Sequence, residues 1–178
     1  MPLIMERPEA SEFNPYYEKY IARVPSGDLI ETLARQADDT LSILRAIPDN
    51  AADHAYAEGK WSIKEVVGHV CDAERIFAYR LLRIGRGDQT PLASFDENVY
   101  APAGQFGQRT LASLVEEFAA VRAATIALVA GLPSEGWLRT GKASDSTVSA
   151  RALAYIIAGH ELHHRAILLE RYLPQLTS

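Results

Sequence analysis

"VSARALAYIIAGHELHHRAIL", residues 148–168, decides how the chain is read. The run is apolar with a helical rhythm. With about 100° of rotation per residue, Leu153, Ile156, Ile157 and Ile167 all fall within about 60° of His160. His164 falls within about 40° of it. Both histidines therefore lie inside the apolar stripe, and His163 lies at its edge. Three of the chain's five histidines are concentrated here. An i, i+4 pair stacks two imidazoles one turn apart on one face. That is the helical bidentate arrangement for a metal ion, and a shared ion would repay the hydration the two rings lose on burial.

The rest of the chain supplies three more helical patterns. One spans about 27–46, with Ser26 as its expected N-cap and Pro48 beyond its end. The next spans about 63–84 and opens on "SIKE", in which Ser62 and Glu65 fit a capping box. The third spans about 111–130 behind Thr110. The helix of the opening stretch is expected over about 150–172, capped near Ser149 and stopped by Pro174. No period-2 strand competes with these. Helices of about 20 residues are about 30 Å long, and an all-α four-helix bundle is the simplest way to bury four stripes. Its connections, 85–109 and 131–148, are long, which marks them as functional loops or as plain crossovers. Residues 1–25 read as a segment draped over the bundle.

Two ligands rarely complete a metal site, so a third is sought on a facing helix. His69, in "VVGHVCDAERIF", sits on the shoulder of its own apolar stripe, near Val66, Ala73 and Ile76. A lone histidine on an apolar face is ordinarily a core residue. Three sharing core-facing positions point to a metal held by His69, His160 and His164. His163 reads as an outer or surface residue, and His54 as a loop residue. Cys71 points to another face and reads as a packing cysteine. Glu65 and Asp72 lie on the His69 side and could orient an imidazole or simply be solvated. Glu161 and Glu170 read as solvated charges.

Composition sets limits. The 178 residues suit one domain with a real core, and 48% hydrophobic with 23% charged residues is an ordinary globular balance. A net charge of −5 argues against a nucleic-acid surface. "ALAYIIAG" is too short to span a bilayer, and "MPLIMERPEA" lacks a signal-peptide pattern. A single cysteine allows no internal disulfide and no cysteine cage. A cytoplasmic protein without membrane contact is expected.

"KWSIKEVVGHVCDAERIFAYRLL" (60–82) and the 148–168 run resemble the second and last core helices of the DinB/YfiT-like superfamily of metalloenzymes. "FDENVYA" (95–101) and "LVEEFAAVRAATIALVAGLPSEGW" (114–137) are similar to that family as well. The resemblance implies a four-helix bundle with long connections and a divalent metal on a His triad, mapping to His69, His160 and His164. It further implies thiol-dependent S-transferases acting with low-molecular-weight thiols such as bacillithiol or mycothiol, and other thiol-dependent reactions. A metal-dependent hydrolase and a non-catalytic, metal-stabilised binding protein stay open beside that reading. Three imidazoles leave positions for water or substrate, where zinc can act as a Lewis acid or activate a water or thiol. Imidazole ligands do not select the metal. Zinc is expected, with nickel as the second candidate. Asn98 and Tyr100 are the candidate pocket residues on the 85–109 loop for a small-molecule substrate or thiol.

The back of the last helix carries a second apolar stripe, Tyr155, Ala158, Leu162 and Leu169. Two covers fit it. One is the N-terminal segment with Phe13, Tyr16, Tyr17 and Tyr20. The other is a two-fold homodimer, which the resemblance also permits.

Overall fold

The protein is described by a computed structural model over residues 6–176; the first five residues of the expected covering segment lie outside that range. Four long helices form the bundle. α1 (Glu18–Ile21) is a short N-terminal turn, followed by α2 (Leu29–Arg45) and α3 (Ile63–Gly85). α4 (Glu97–Ala103) is short and sits in the connection to α5 (Leu111–Ala130). α6 (Ala150–Ile167) is continued by a π-helical turn, Leu168–Tyr172, and by α7 (Leu173–Leu176). α2 and α3 each pack against both α5 and α6. Consecutive helices α2 and α3, and likewise α5 and α6, therefore face each other across the diagonal. A diagonal crossing needs long connections, which accounts for the stretches between these pairs.

Side-chain oxygens start each long helix by accepting from otherwise orphaned N–H groups. Ser62 accepts from Glu65 N while the Glu65 carboxylate accepts from Ser62 N, closing the expected box. Thr110 accepts from Ser113 N, and Ser149 from Ala152 N. α2 departs from expectation. Its cap is Asp28, which accepts from Ile30 N and Glu31 N, and not Ser26. Gly27 (φ 127°) turns the chain just before that cap. Pro174 does not stop the last helix. Leu173 N bonds to Leu168 O in the π turn, and Pro174 falls in the first turn of α7, where a missing N–H is tolerated.

The connections are more ordered than the sequence suggests. A hairpin that the sequence does not announce pairs β1 (Thr140–Ala143) with β2 (Ser146–Ser149) in antiparallel register, Thr140 opposite Ser149. Ser144 and Asp145 both have positive φ, 51° and 61°, as a two-residue hairpin turn demands. Leu92 N donates to Lys142 O at 2.9 Å, so the two long connections are stitched together.

The N-terminal segment covers the back of α6. Phe13, Ile21 and Val24 share one apolar cluster with Tyr155 and Ala158. Tyr155 and Ala158 are buried, Leu162 is half-buried and Leu169 remains 44% exposed. Intramolecular cover thus accounts for the first part of the second stripe. The approach is closest at Gly159, where an added Cβ would lie 2.0 Å from the Tyr20 carbonyl oxygen. Gly159→Ala is therefore expected to destabilise the protein by about 1–3 kcal/mol, although alanine is the better helix former by about 1 kcal/mol. Denaturant unfolding checks this. A variant as stable as the wild type would mean that α1 does not rest on α6.

Candidate metal centre

α3 and α6 bring three imidazoles to one point. His69 Nε2 and His160 Nε2 stand 3.1 Å apart, and His164 Nε2 and His160 Nε2 also 3.1 Å. One ring nitrogen from each residue can converge on a single ion. Zinc–nitrogen bonds of about 2.0–2.1 Å at tetrahedral angles would put the nitrogens about 3.3 Å apart. The two spacings at His160 are close to that, and all three donors lie within 4.8 Å of one another. The three rings cannot satisfy one another. The single Nε2 of His160 can donate to one neighbour or accept from one, so one of its two contacts sets polar edges together unbonded.

Burial shapes the electrostatics. His69 and His160 are buried and His164 is half-buried. Desolvation pushes His69 down to about 4. His160 and His164 fall well below the usual imidazole value, first through burial and then through the neighbouring histidines. All three rings are therefore neutral near pH 7, the state a ligand requires. Aromatic rings hold them in place. Trp61 lies on His69 at 4.7 Å between centroids, and Tyr20 and Phe77 meet His160 edge-on at 5.3 and 5.6 Å.

The triad opens into a pocket of about 370 Å³ that includes Tyr17, Phe77, Arg80, Phe95, Glu97 and Ser144 in its walls. Tyr16, also in the lining, is 54% exposed, so the pocket reaches solvent. Arg80 donates to Ala93 O at 2.8 Å and to Ser144 Oγ at 3.1 Å, tying α3 to both stitched connections. Sequence reasoning missed Arg80, although three turns along α3 bring it back to within about 20° of His69. Glu97, at the start of α4, was missed too; nothing in the sequence folds that turn over the triad.

The other expected residues fall as follows. His163 stays outside the convergent group, its ring against Tyr20 and its buried Nδ1 without a hydrogen-bond partner. His54 pairs with Gln175 Oε1 at 2.8 Å on a distant loop. Cys71 packs with Val70 and Phe118, and burial pushes its thiol up to about 12. Glu65 is committed to the α3 cap, and Asp72, raised by burial, interacts with Arg75 and Glu117. Neither has a hydrogen bond to His69 among the described residues. Asn98 lines a neighbouring cavity, while Tyr100 is 41% exposed against Phe95. Glu170 is exposed. Glu161 corrects the expectation of a solvated charge: it is 2% exposed, accepts from Thr40 Oγ1 and lies 3.6 Å from Arg122.

A pH effect follows from the neutral rings. Unfolded histidine binds protons near pH 6.5, whereas folded His69 does so only near pH 4. The unfolded chain therefore takes up more protons across that window, and the metal-free protein loses stability as pH falls from about 6.5 towards 4. The loss should be smaller in His69→Gln. Equal acid sensitivity of both proteins in thermal unfolding would contradict dry, neutral rings.

The fold is shared with known proteins. The profile of the DinB superfamily matches residues 32–168, a span that includes all three histidines. No curated protein sequence matches the chain. Among solved structures, YfiT from Bacillus subtilis is described as a probable metal-dependent hydrolase with an unusual four-helix bundle topology. It aligns with a TM-score of 0.70 over 97% of this chain and 98% of that one, at 15% identity, a likeness of fold. No helix among the described residues is long and apolar enough to cross a membrane. With the match running from α2 to just beyond the end of α6, the chain belongs to the DinB superfamily.

Proposed function

We propose that the protein is a divalent-metal-dependent hydrolase acting on a small molecule, with His69, His160 and His164 as the metal ligands. One observation carries this reading: three neutral ring nitrogens converge at the wall of a solvent-reaching pocket that also holds a carboxylate, Glu97. YfiT, described as a probable metal-dependent hydrolase, has the same fold. Zinc is the proposed ion, with nickel the second candidate.

A bound ion would supply Lewis acidity at the three imidazoles. The chain's own groups do the rest. Glu97 accepts the proton of the attacking water and returns it to the leaving group as the scissile bond breaks. Arg80, fixed by Ala93 O and Ser144 Oγ, offers positive charge to the oxygen that gains electron density. Tyr17, Phe77 and Phe95 limit the water that reaches the reacting atoms. A thiol-dependent S-transferase is the alternative within the same site. The chain's only thiol is buried away from the pocket, so that reaction needs an added thiol such as bacillithiol or mycothiol.

His164→Ala is expected to strip the metal, and His163→Ala to keep it, by elemental analysis of untagged protein. Equal loss in both would overturn the ligand assignment. Glu97→Gln is expected to keep the metal and lose about 10²-fold or more in hydrolysis of activated esters and amides. Turnover seen only with an added low-molecular-weight thiol would move the assignment to S-transfer. A metal-bearing protein inert in both screens would be a metal-stabilised binding protein.

The homodimer is proposed on a narrower surface, Leu169 with half-buried Leu162, since the N-terminal segment covers the rest of that face. Light scattering should report twice the 19.6 kDa chain mass, and Leu162→Asp should halve it. A 19.6 kDa species at micromolar concentration would overturn the dimer. The lone buried cysteine supports a cytoplasmic location.

A further inference from the structure

A second cavity lies behind Trp61 and His164. It measures about 250 Å³, and Lys60, Val66, Asn98, Ile167 and Tyr172 are in its lining. Trp61 and His164 line this cavity and the larger pocket alike. One indole and one triad imidazole thus form a wall shared by two compartments. The smaller is below the roughly 300–1,000 Å³ of an ordinary ligand site, and the two together fall within it.

We propose that the smaller cavity is a subsite for a carboxylate-bearing arm of the substrate, with the reacting bond lying between the compartments at the His164 edge. The position of the reacting bond rests on the metal-dependent reading above; the anion subsite does not.

The charges in the two compartments differ. No carboxylate lines the smaller cavity, whereas Glu97 lines the larger one. Lys60 has no acidic partner among the ion pairs of the described residues. The Asn98 side-chain amide has no hydrogen-bond partner among them either, although its backbone N–H is held by Asp96. A second cation stands at the rim: Arg171 lies 5.5 Å from the ring of Tyr56, which also lines the cavity, and bonds its hydroxyl at 3.3 Å. The acid nearest in sequence on α3, Glu65, is already bonded to Ser62 N at 2.7 Å. In the larger pocket the equivalent cation, Arg80, has donors engaged by Ala93 O and Ser144 Oγ. An anionic arm entering the site would meet free donors on the Lys60 side and a carboxylate on the other. Val66, Ile167 and the Trp61 indole complete the cavity as an apolar floor, which suits a carboxylate on a short apolar or aromatic stem.

The metal-free protein tests this without turnover. Phenylacetate and its uncharged isostere phenylacetamide are titrated, with binding read by calorimetry and by the fluorescence of Trp61. The other tryptophan, Trp137, is in the core cluster and lines neither cavity. Phenylacetate should bind at least tenfold more tightly than the amide. Lys60→Met should erase most of that difference while leaving amide binding unchanged, and Asn98→Ala should weaken phenylacetate in the same direction. No phenylacetate binding up to about 10 mM, equal affinity for acid and amide, or indifference to Lys60→Met would each overturn the subsite. So would loss of binding on Tyr16→Ala, which would place the ligand in the larger pocket. Inactivity in the hydrolysis screen, with these affinities intact, would fail the reaction and spare the subsite.

Discussion

A single buried guanidinium holds the bundle in register. Arg122 of α5 is 1% exposed and grips Glu74 of α3 through two bonds, Nε to Oε1 at 2.8 Å and an Nη to Oε2 at 2.9 Å. Its other Nη donates to Leu33 O of α2 at 3.2 Å and stands 3.6 Å from Glu161 of α6. Glu161 in turn accepts from Thr40 of α2. All four long helices meet in this network. Apolar packing alone has no direction, and α5 is poor in orienting signal: its exposed face is largely alanine, including Ala120, Ala123, Ala124 and Ala127. Arg122 fixes its rotation. Removing one member of such a network costs about 3–5 kcal/mol, because the remaining charge stays buried. Burial also raises Glu161 above the usual carboxylate range, which eases the crowding of two acids around one arginine.

That register sets the histidine triad. Glu161 follows His160 in the chain, so the contact that seats Glu161 against Arg122 also fixes the height at which His160 meets His69. A slip of one turn moves α6 by about 5.4 Å, enough to part the facing nitrogens and the buried charges together. A second brace acts from the far end. The π turn at Leu168–Tyr172 carries Tyr172 inward, where it is 2% exposed and its hydroxyl donates to Trp61 O at 2.7 Å. Trp61 lies on His69. The extra residue in the helix thus steadies a triad histidine on another helix, a placement in keeping with the frequency of π turns near functional sites.

What the sequence discloses follows from where the information sits. The long helices are legible because Ser62, Thr110 and Ser149 cap them locally and their stripes repeat along one chain segment. The triad is legible for the same reason, since two of its members are neighbours on one helix face. The start of α2 is misread because Ser26 and Asp28 are both good caps, and only the Gly27 turn favours the second. The hairpin is hidden because its strands have four residues each, Gly141 and Ala143 point inward in place of β-branched side chains, and the turn has no glycine. Glu161 is the instructive error. About 100° from His160, it lies at the margin of the stripe, and only Arg122 on another helix decides that it is buried. Lys60 and Glu97 carry no local signal because their cavities are made by segments far apart in sequence.

The position of the histidines along α6 places one triad ring in the dry core and another at its edge. From Ala150 to Glu161 every residue of α6 is buried, and from Leu162 to Ile167 every one is half-buried. His160 lies near the end of the dry part, where Tyr20 and Phe77 fix its ring. His164 lies one turn later, where the helix reaches water and the two cavities meet. The dry part supplies rigidity, since those rings cannot rotate without opening the core. The half-buried part supplies access. Three neutral imidazoles meet at 3.1 Å around His160 Nε2, which can form a hydrogen bond with one neighbour and leaves the other contact unrewarded. Holding donors in that geometry places the cost in the fold, so that an ion bound there would leave little to reorganise.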